Sequence, residues 1–262
     1  MEFNSVVFIL ALLGLSLAYP LGSVKKFERD PEEIGGYFEG DMDLDNMQRA
    51  AIENPKSRNG LLDKVYNWPN NIVYYELSDV FDDEHKNQIV KGLNYLESVS
   101  CLRFLPKTED TVDYVSVTGE DGGCYSSVGR RGGRQTLNYQ IYPLDTGCFR
   151  IGTIVHEFLH ALGFYHQQST YDRDDFVTIV EENIQDGKQH NFNKYLTTTV
   201  TDFGVRYDYD SVMHYSSLAF SKNGEMTIVP KDPNAAIGQR LKLSDADILK
   251  LNIKYNCPNI AK

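Results

Sequence analysis

The apolar positions of the chain follow two different periods. Ile72 to Leu77 and Tyr114 to Val117 are short runs rich in β-branched and aromatic residues and bounded by breakers, which predicts strands. Between them, Asp82-Asp83 opens a segment whose apolar residues Ile89, Leu93 and Leu96 fall at i, i+4 and i+7, the stripe of a helix. A second helix is predicted from about Phe149 to Leu162, stopped by Gly163, a residue that tolerates the left-handed conformation at a helix end. The last runs from Ser244 to Tyr255, with Ser244 and Asp247 spaced as a capping box and Ile248, Leu251 and Tyr255 on one face. Gly119 to Gly133, carrying Arg130, Arg131 and Arg134, fits neither period. It reads as a solvated loop rather than a phosphate cradle, because no Gly-Lys-Ser/Thr follows it. Strands mainly first and helices later predict an α+β body.

The N-terminal segment departs from this pattern. Val6 to Leu17 is an apolar run of about a dozen residues, where a membrane span needs roughly 20. Ser16-Leu17-Ala18 places small residues at the positions a signal peptidase reads, so residues 1–18 are expected to be a signal peptide rather than a membrane anchor. Glu28, Asp30, Glu32, Glu33, Glu39, Asp41, Asp43 and Asp45 follow closely, with Gly35-Gly36 and few core-type residues, as in an extended acidic arm. Asn54-Pro55-Lys56-Ser57-Arg58-Asn59-Gly60 is a polar breaker cluster and a plausible exposed cleavage site, leaving residues 59–262 as the body.

A formal net charge of −11 argues against a nucleic-acid partner, which would select a basic excess. The four cysteines, Cys101, Cys124, Cys148 and Cys257, suit two disulfides on a secretory route, and arithmetic leaves three pairings open.

The informative stretch runs from His156 to His166. On a helix the imidazoles of His156 and His160, four residues apart, converge on one cation, and Glu157 lies one step round, in reach of a metal-bound water. Gly163 lets the backbone turn so that His166 returns as a third nitrogen ligand, leaving an open position as in catalytic zinc. Two histidines on an amphipathic helix are the bland alternative. The Gly and third His lower the chance expectation to about one in a hundred thousand. Three imidazoles select zinc over calcium or magnesium, and zinc chemistry at such a site is hydrolysis of an acyl bond. No Gly-x-Ser-x-Gly elbow competes.

The segment continues as Gln167-Gln168-Ser169-Thr170-Tyr171-Asp172-Arg173-Asp174-Asp175, and Ser211-Val212-Met213-His214-Tyr215 lies downstream. Over the body, from about Asn59 to Cys257, and in the arm, these motifs resemble the astacin family of secreted zinc endopeptidases, within the metzincins. The resemblance implies an α+β fold of two lobes, with the active-site cleft between them and one zinc per subunit at its floor. Carried over by position, it implies zinc ligands His156, His160 and His166 and a general base Glu157. It further implies a methionine turn at Met213, and a fifth ligand Tyr215 that swings away to stabilise the oxyanion. It also implies disulfides Cys101 to Cys257 and Cys124 to Cys148.

Phe38-Glu39-Gly40-Asp41 matches the family's propeptide motif, in which the Asp41 carboxylate occupies the zinc position meant for water. Residues 19–58 are then an acidic propeptide and 59–262 the catalytic domain, with protein or peptide substrates and an activating protease as partners. One position departs from the family: Gln167 stands where a Glu is usually linked through water to the new N-terminal ammonium, and an amide cannot form that ion pair. Ile237 to Lys242 resembles the loop from which some members present a basic side chain to an acidic residue after the scissile bond, which makes Arg240 a subsite candidate. The leading expectation is a monomeric secreted endopeptidase made as a zymogen. The alternative, a catalytically silent secreted binding protein on the same fold, fits poorly with a complete set of ligands, base and tyrosine.

Overall fold

A computed structural model of the chain describes residues 29–53, 64–197 and 200–258. The expected signal peptide and the expected cut at Arg58 lie outside these residues. The predicted strands are β2 (Ile72–Leu77) and β4 (Tyr114–Thr118). They pair in parallel in a six-stranded sheet with β1 (Met42–Asp43), β3 (Arg103–Pro106), β5 (Cys124–Ser127) and β6 (Arg134–Tyr139), in the order β1-β5-β6-β4-β2-β3. One expectation is corrected here: the glycine-rich stretch is not wholly a solvated loop. Cys124–Ser127 is a buried strand, held antiparallel to β6 and tied by Cys124 to Cys148. The Cys124 bridge and four consecutive small or aromatic residues outweigh the flanking glycines.

Helix α2 (Asp83–Val99) starts where the sequence places it, with the Asp82 side chain accepting from the His85 backbone N–H at 2.9 Å. Its stripe of Ile89, Leu93 and Leu96 is buried, each side chain stabilising the fold by roughly 1.5–3 kcal/mol. Helix α3 (Ile151–Ala161) is buried from Gly152 to Ala161. It crosses the Arg240 backbone so closely that a Cβ on Gly152 would lie 1.9 Å from the Arg240 carbonyl carbon, and the Gly152 N–H donates to the Arg240 carbonyl. Beyond α3, Gly163 turns the chain at φ +87°. Helix α4 (Asp245–Lys254) carries the predicted capping box of Ser244 and Asp247.

Sheet, α2, α3 and α4 share one hydrophobic cluster, which includes Val212 and Met213. A second cluster of Val177, Ile184, Phe192, Tyr207, Tyr215, Ala219, Phe220 and Ile228 surrounds the two-stranded antiparallel sheet of β7 (Val177–Ile179) and β8 (Ile228–Pro230). The architecture is the expected α+β, and the disulfides join Cys101 to Cys257 and Cys124 to Cys148.

The arm is not a solvated tail. It supplies β1, parallel to β5 at the sheet edge, and α1 (Asn46–Glu53), and Met42, Leu44 and Ala51 form a third cluster with Val128, Tyr165 and Tyr195 of the body. Among its acids, Glu32, Glu39 and Asp41 are buried, because each meets a cation, an imidazole or several hydroxyls of the body. No helix of the described residues is long and apolar enough to cross a membrane.

Candidate metal centre

Helical spacing puts His156 and His160 on one face of α3, and the Gly163 turn brings His166 back beside them. All three are buried. Their Nδ1–H groups have separate acceptors: His156 donates to the Val212 carbonyl (2.8 Å), His160 to the Phe164 carbonyl (2.8 Å), and His166 to the Glu39 carboxylate (2.8 Å). Each Nδ1 bond fixes the tautomer in which Nε2 offers a lone pair inward.

The Nε2 atoms of His156 and His160 are 3.1 Å apart, and Asp41 approaches all three rings, with oxygens 3.2 Å from His156, 3.5 Å from His160 and 3.3 Å from His166. Two unprotonated ring nitrogens so close repel unless a cation lies between them. Ligands at about 2.0–2.1 Å around tetrahedral zinc stand roughly 3.3 Å from one another, the spacing found here. Asp41 Oδ1 and His166 Nε2 are buried with no hydrogen-bond partner, and the four ligand atoms lie within 4.8 Å of one another. A donor set of three imidazoles and one carboxylate fits zinc.

Glu157 is fully buried on the same helix, and neither carboxylate oxygen has a hydrogen-bond partner. Burial pushes its carboxyl well above the usual range, and the negative charges of Asp41 and Glu32 add to the effect. Met213 is buried in the turn 211–215, and its carbonyl accepts from the Gln167 N–H. The Tyr215 hydroxyl donates to the Glu39 backbone carbonyl, and its ring lies 4.6 Å from that of His166. Arg240 is not a solvated loop charge: its Nε lies 2.8 Å from both Glu32 oxygens and its Nη2 2.5 Å from one, with Nη1 on the His214 carbonyl. Gln167 accepts from the Lys250 ammonium at 2.5 Å. Behind this pair lies a cavity of about 230 Å³, lined also by Phe164, Asp202 and Lys254.

Three contributors escape sequence reasoning. Asp247 accepts from Ser244 N–H (3.0 Å), Ser211 Oγ–H (2.6 Å) and Val212 N–H (2.8 Å), so the capping residue of α4 also holds the turn whose carbonyl orients His156. Its capping role is visible in the sequence; the second role depends on a contact 35 residues away. Glu32 belongs to an acidic run in which nothing local distinguishes it, and Glu39, though it lies in the motif around Asp41, carries no signal there of its contact with His166.

Two histidines and an unpaired glutamate on a buried helix, with a third histidine returned by the turn after it, beside a mixed sheet, define a zinc-dependent peptidase. The profile of the Astacin peptidase family matches residues 61–256. The chain is 38% identical over 236 residues to zinc metalloproteinase nas-4 of Caenorhabditis elegans, covering 89% of this chain and 73% of that one. It is 41% identical over 236 residues to seminal metalloprotease 1 of Drosophila melanogaster, covering 88% and 91% respectively. High choriolytic enzyme 1, a hatching enzyme zinc-protease from Oryzias latipes, superposes with a TM-score of 0.68 at 36% identity, over 75% of this chain and 97% of that one. The chain belongs to the astacin family of zinc metalloproteases.

Proposed function

We propose that the chain is the zymogen of a secreted endopeptidase, with residues 1–18 a signal peptide, 19–58 the propeptide and 59–262 the catalytic domain. In this reading His156, His160 and His166 hold the zinc, and the arm's Asp41 fills the fourth position until the arm is cut away. The observation that carries it is the meeting of one arm carboxylate with three imidazoles that lie 115 to 125 residues further along the chain.

When bound, zinc supplies a Lewis acid for the peptide carbonyl and makes a water more acidic. The remaining work falls to the chain. While the arm is docked, Asp41 excludes water and, with Glu32, favours the protonated form of Glu157. Departure of the arm opens the buried site to solvent and removes both negative charges, so the Glu157 carboxylate becomes available to accept the proton of the attacking water and return it to the leaving amine. The Tyr215 hydroxyl, no longer donating to the Glu39 carbonyl, becomes free to donate to the oxyanion. Release of β1 also uncovers the backbone of β5, an edge on which an extended peptide can pair.

Arg240 carries the proposed preference for an acidic residue after the scissile bond: a carboxylate already sits on its guanidinium, supplied by the arm. Gln167 is occupied by Lys250, which supports the reading that the new N-terminus is not anchored there.

Glu157→Ala tests the mechanism. The variant should keep its zinc and its fold and lose peptidase activity by several orders of magnitude once activated. Retention of more than a few per cent of kcat/KM removes Glu157 as the base. In parallel, the uncut secreted form should be inactive, N-terminal sequencing of the active form should begin at Asn59 or Gly60, and Asp41→Ala should leak activity before the cut.

A further inference from the structure

Two of the three clustered histidines are oriented by the body itself, through the carbonyls of Val212 and Phe164. The third is not. The Nδ1–H of His166 has the carboxylate of Glu39 as its acceptor, and Glu39 belongs to the arm. Glu39 is fully buried and sits at φ +49°, a conformation that side-chain-bearing residues rarely adopt. Its carboxylate is held in place by two further donors, Ser169 Oγ–H at 2.9 Å and Tyr195 O–H at 2.5 Å. A carboxylate on the far nitrogen fixes the ring's orientation and tautomer and makes Nε2 a stronger donor to a metal.

We infer that Glu39 is a positioning residue for zinc: the arm not only occludes the site but completes the support of its third ligand, so that the uncut chain is the form built to acquire and hold the metal. The inference rests on the zinc-ligand reading above and adds a function to the arm that Asp41 does not perform. Asp41 faces the Nε2 side of the rings, whereas Glu39 acts from behind one of them.

The test is the zinc dissociation constant of the full uncut chain, measured by competition with a chromophoric chelator, so that no catalytic turnover enters the readout. Glu39→Ala should raise Kd about 10- to 100-fold, the usual effect of losing such a partner, and Glu39→Gln, which keeps the shape and removes the charge, about 10-fold. Tyr195→Phe, which removes another donor from the same carboxylate, should stay within about threefold. The Glu39 effect should persist in an Asp41→Ala background. A folded Glu39→Ala chain with wild-type Kd overturns the inference. If His166→Ala also leaves Kd unchanged, the ligand reading itself falls; if His166→Ala loses zinc while the Glu39 variants do not, only the role of Glu39 falls. Should the Glu39 variants fail to fold, nitrogen-15 NMR of the wild-type zinc-loaded chain decides. The His166 Nδ1 proton should exchange slowly with water while the arm is docked, and exchange as fast as that of an exposed histidine overturns the proposal.

Discussion

Asp247 shows how much one side chain can do when its surroundings exclude water. It closes the capping box of α4, satisfies two donors of the turn that holds His156, and is buried. Replacing it with alanine strands several buried donors at about 1–3 kcal/mol each, so Asp247→Ala should cost at least about 3 kcal/mol in urea unfolding and weaken zinc retention together. A loss below about 1 kcal/mol would show that water replaces the carboxylate. Tyr215→Phe acts on chemistry instead. With its hydroxyl freed by departure of the arm, the loss of one oxyanion donor should lower kcat/KM about 100-fold at unchanged melting temperature, roughly 3 kcal/mol. Equal activity would leave the tyrosine a packing residue. Arg240→Ala should lower kcat/KM for substrates with Asp or Glu after the scissile bond by about 10- to 100-fold, and little for apolar residues there. A peptide-library profile of the two enzymes checks this.

At the scale of the element, the arm docks through charges that respond differently to pH. Glu32 is held well below the usual carboxylate range because, although burial raises it, the Arg240 guanidinium outweighs burial. Glu33 is pushed up to about 8, first by burial and then by Asp30 and Glu32, against the Phe220 N–H it accepts and the Arg29 charge. A raised carboxyl pKa contributes stability that is complete below the free value of 4.5 and is lost as pH rises through about 8. Glu33→Gln should therefore match the wild-type uncut chain in melting temperature at about pH 5 and exceed it at about pH 9. The difference between the two proteins isolates Glu33 from the histidines and from Lys254, whose ammonium burial lowers to about 8. A constant difference at both pH values would mean that Glu33 does not titrate in this range.

At the scale of the molecule, the Cys101 to Cys257 bridge joins the end of α2 to the end of α4 across a separation of 156 residues. The elements so tied share the cluster that contains Val212 and Met213, so the bridge restrains the floor of the site as well as the fold. Cys101→Ser with Cys257→Ser should cost about 2–5 kcal/mol by urea unfolding, with the chain-entropy limit near 5. An unchanged midpoint would show that packing alone restrains α4. The arm, lying against β5, the histidines and Arg240, ties these parts together a second time.

The sequence by itself determined the helices α2, α3 and α4, the N-terminal caps of α2 and α4, the two predicted strands and the histidine cluster, while α1 in the arm was not legible. Each follows from a short-range period: i and i+4 share a helix face wherever the helix lies, and a glycine after the last turn lets the chain reverse. The disulfide pairing, the proposed catalytic role of Tyr215 and the proposed role of Asp41 came from family resemblance, since spacing alone left them open. Only the tertiary structure decided what the arm acids other than Asp41 do. Glu32, Glu33, Glu39 and Asp41 are alike in a charged run, yet one sits on Arg240 across 208 residues, one accepts from the Phe220 backbone, and two meet the histidines from opposite sides. A carboxylate's role depends on what desolvates it and which donors surround it, and both are set by long-range packing that a linear pattern does not encode.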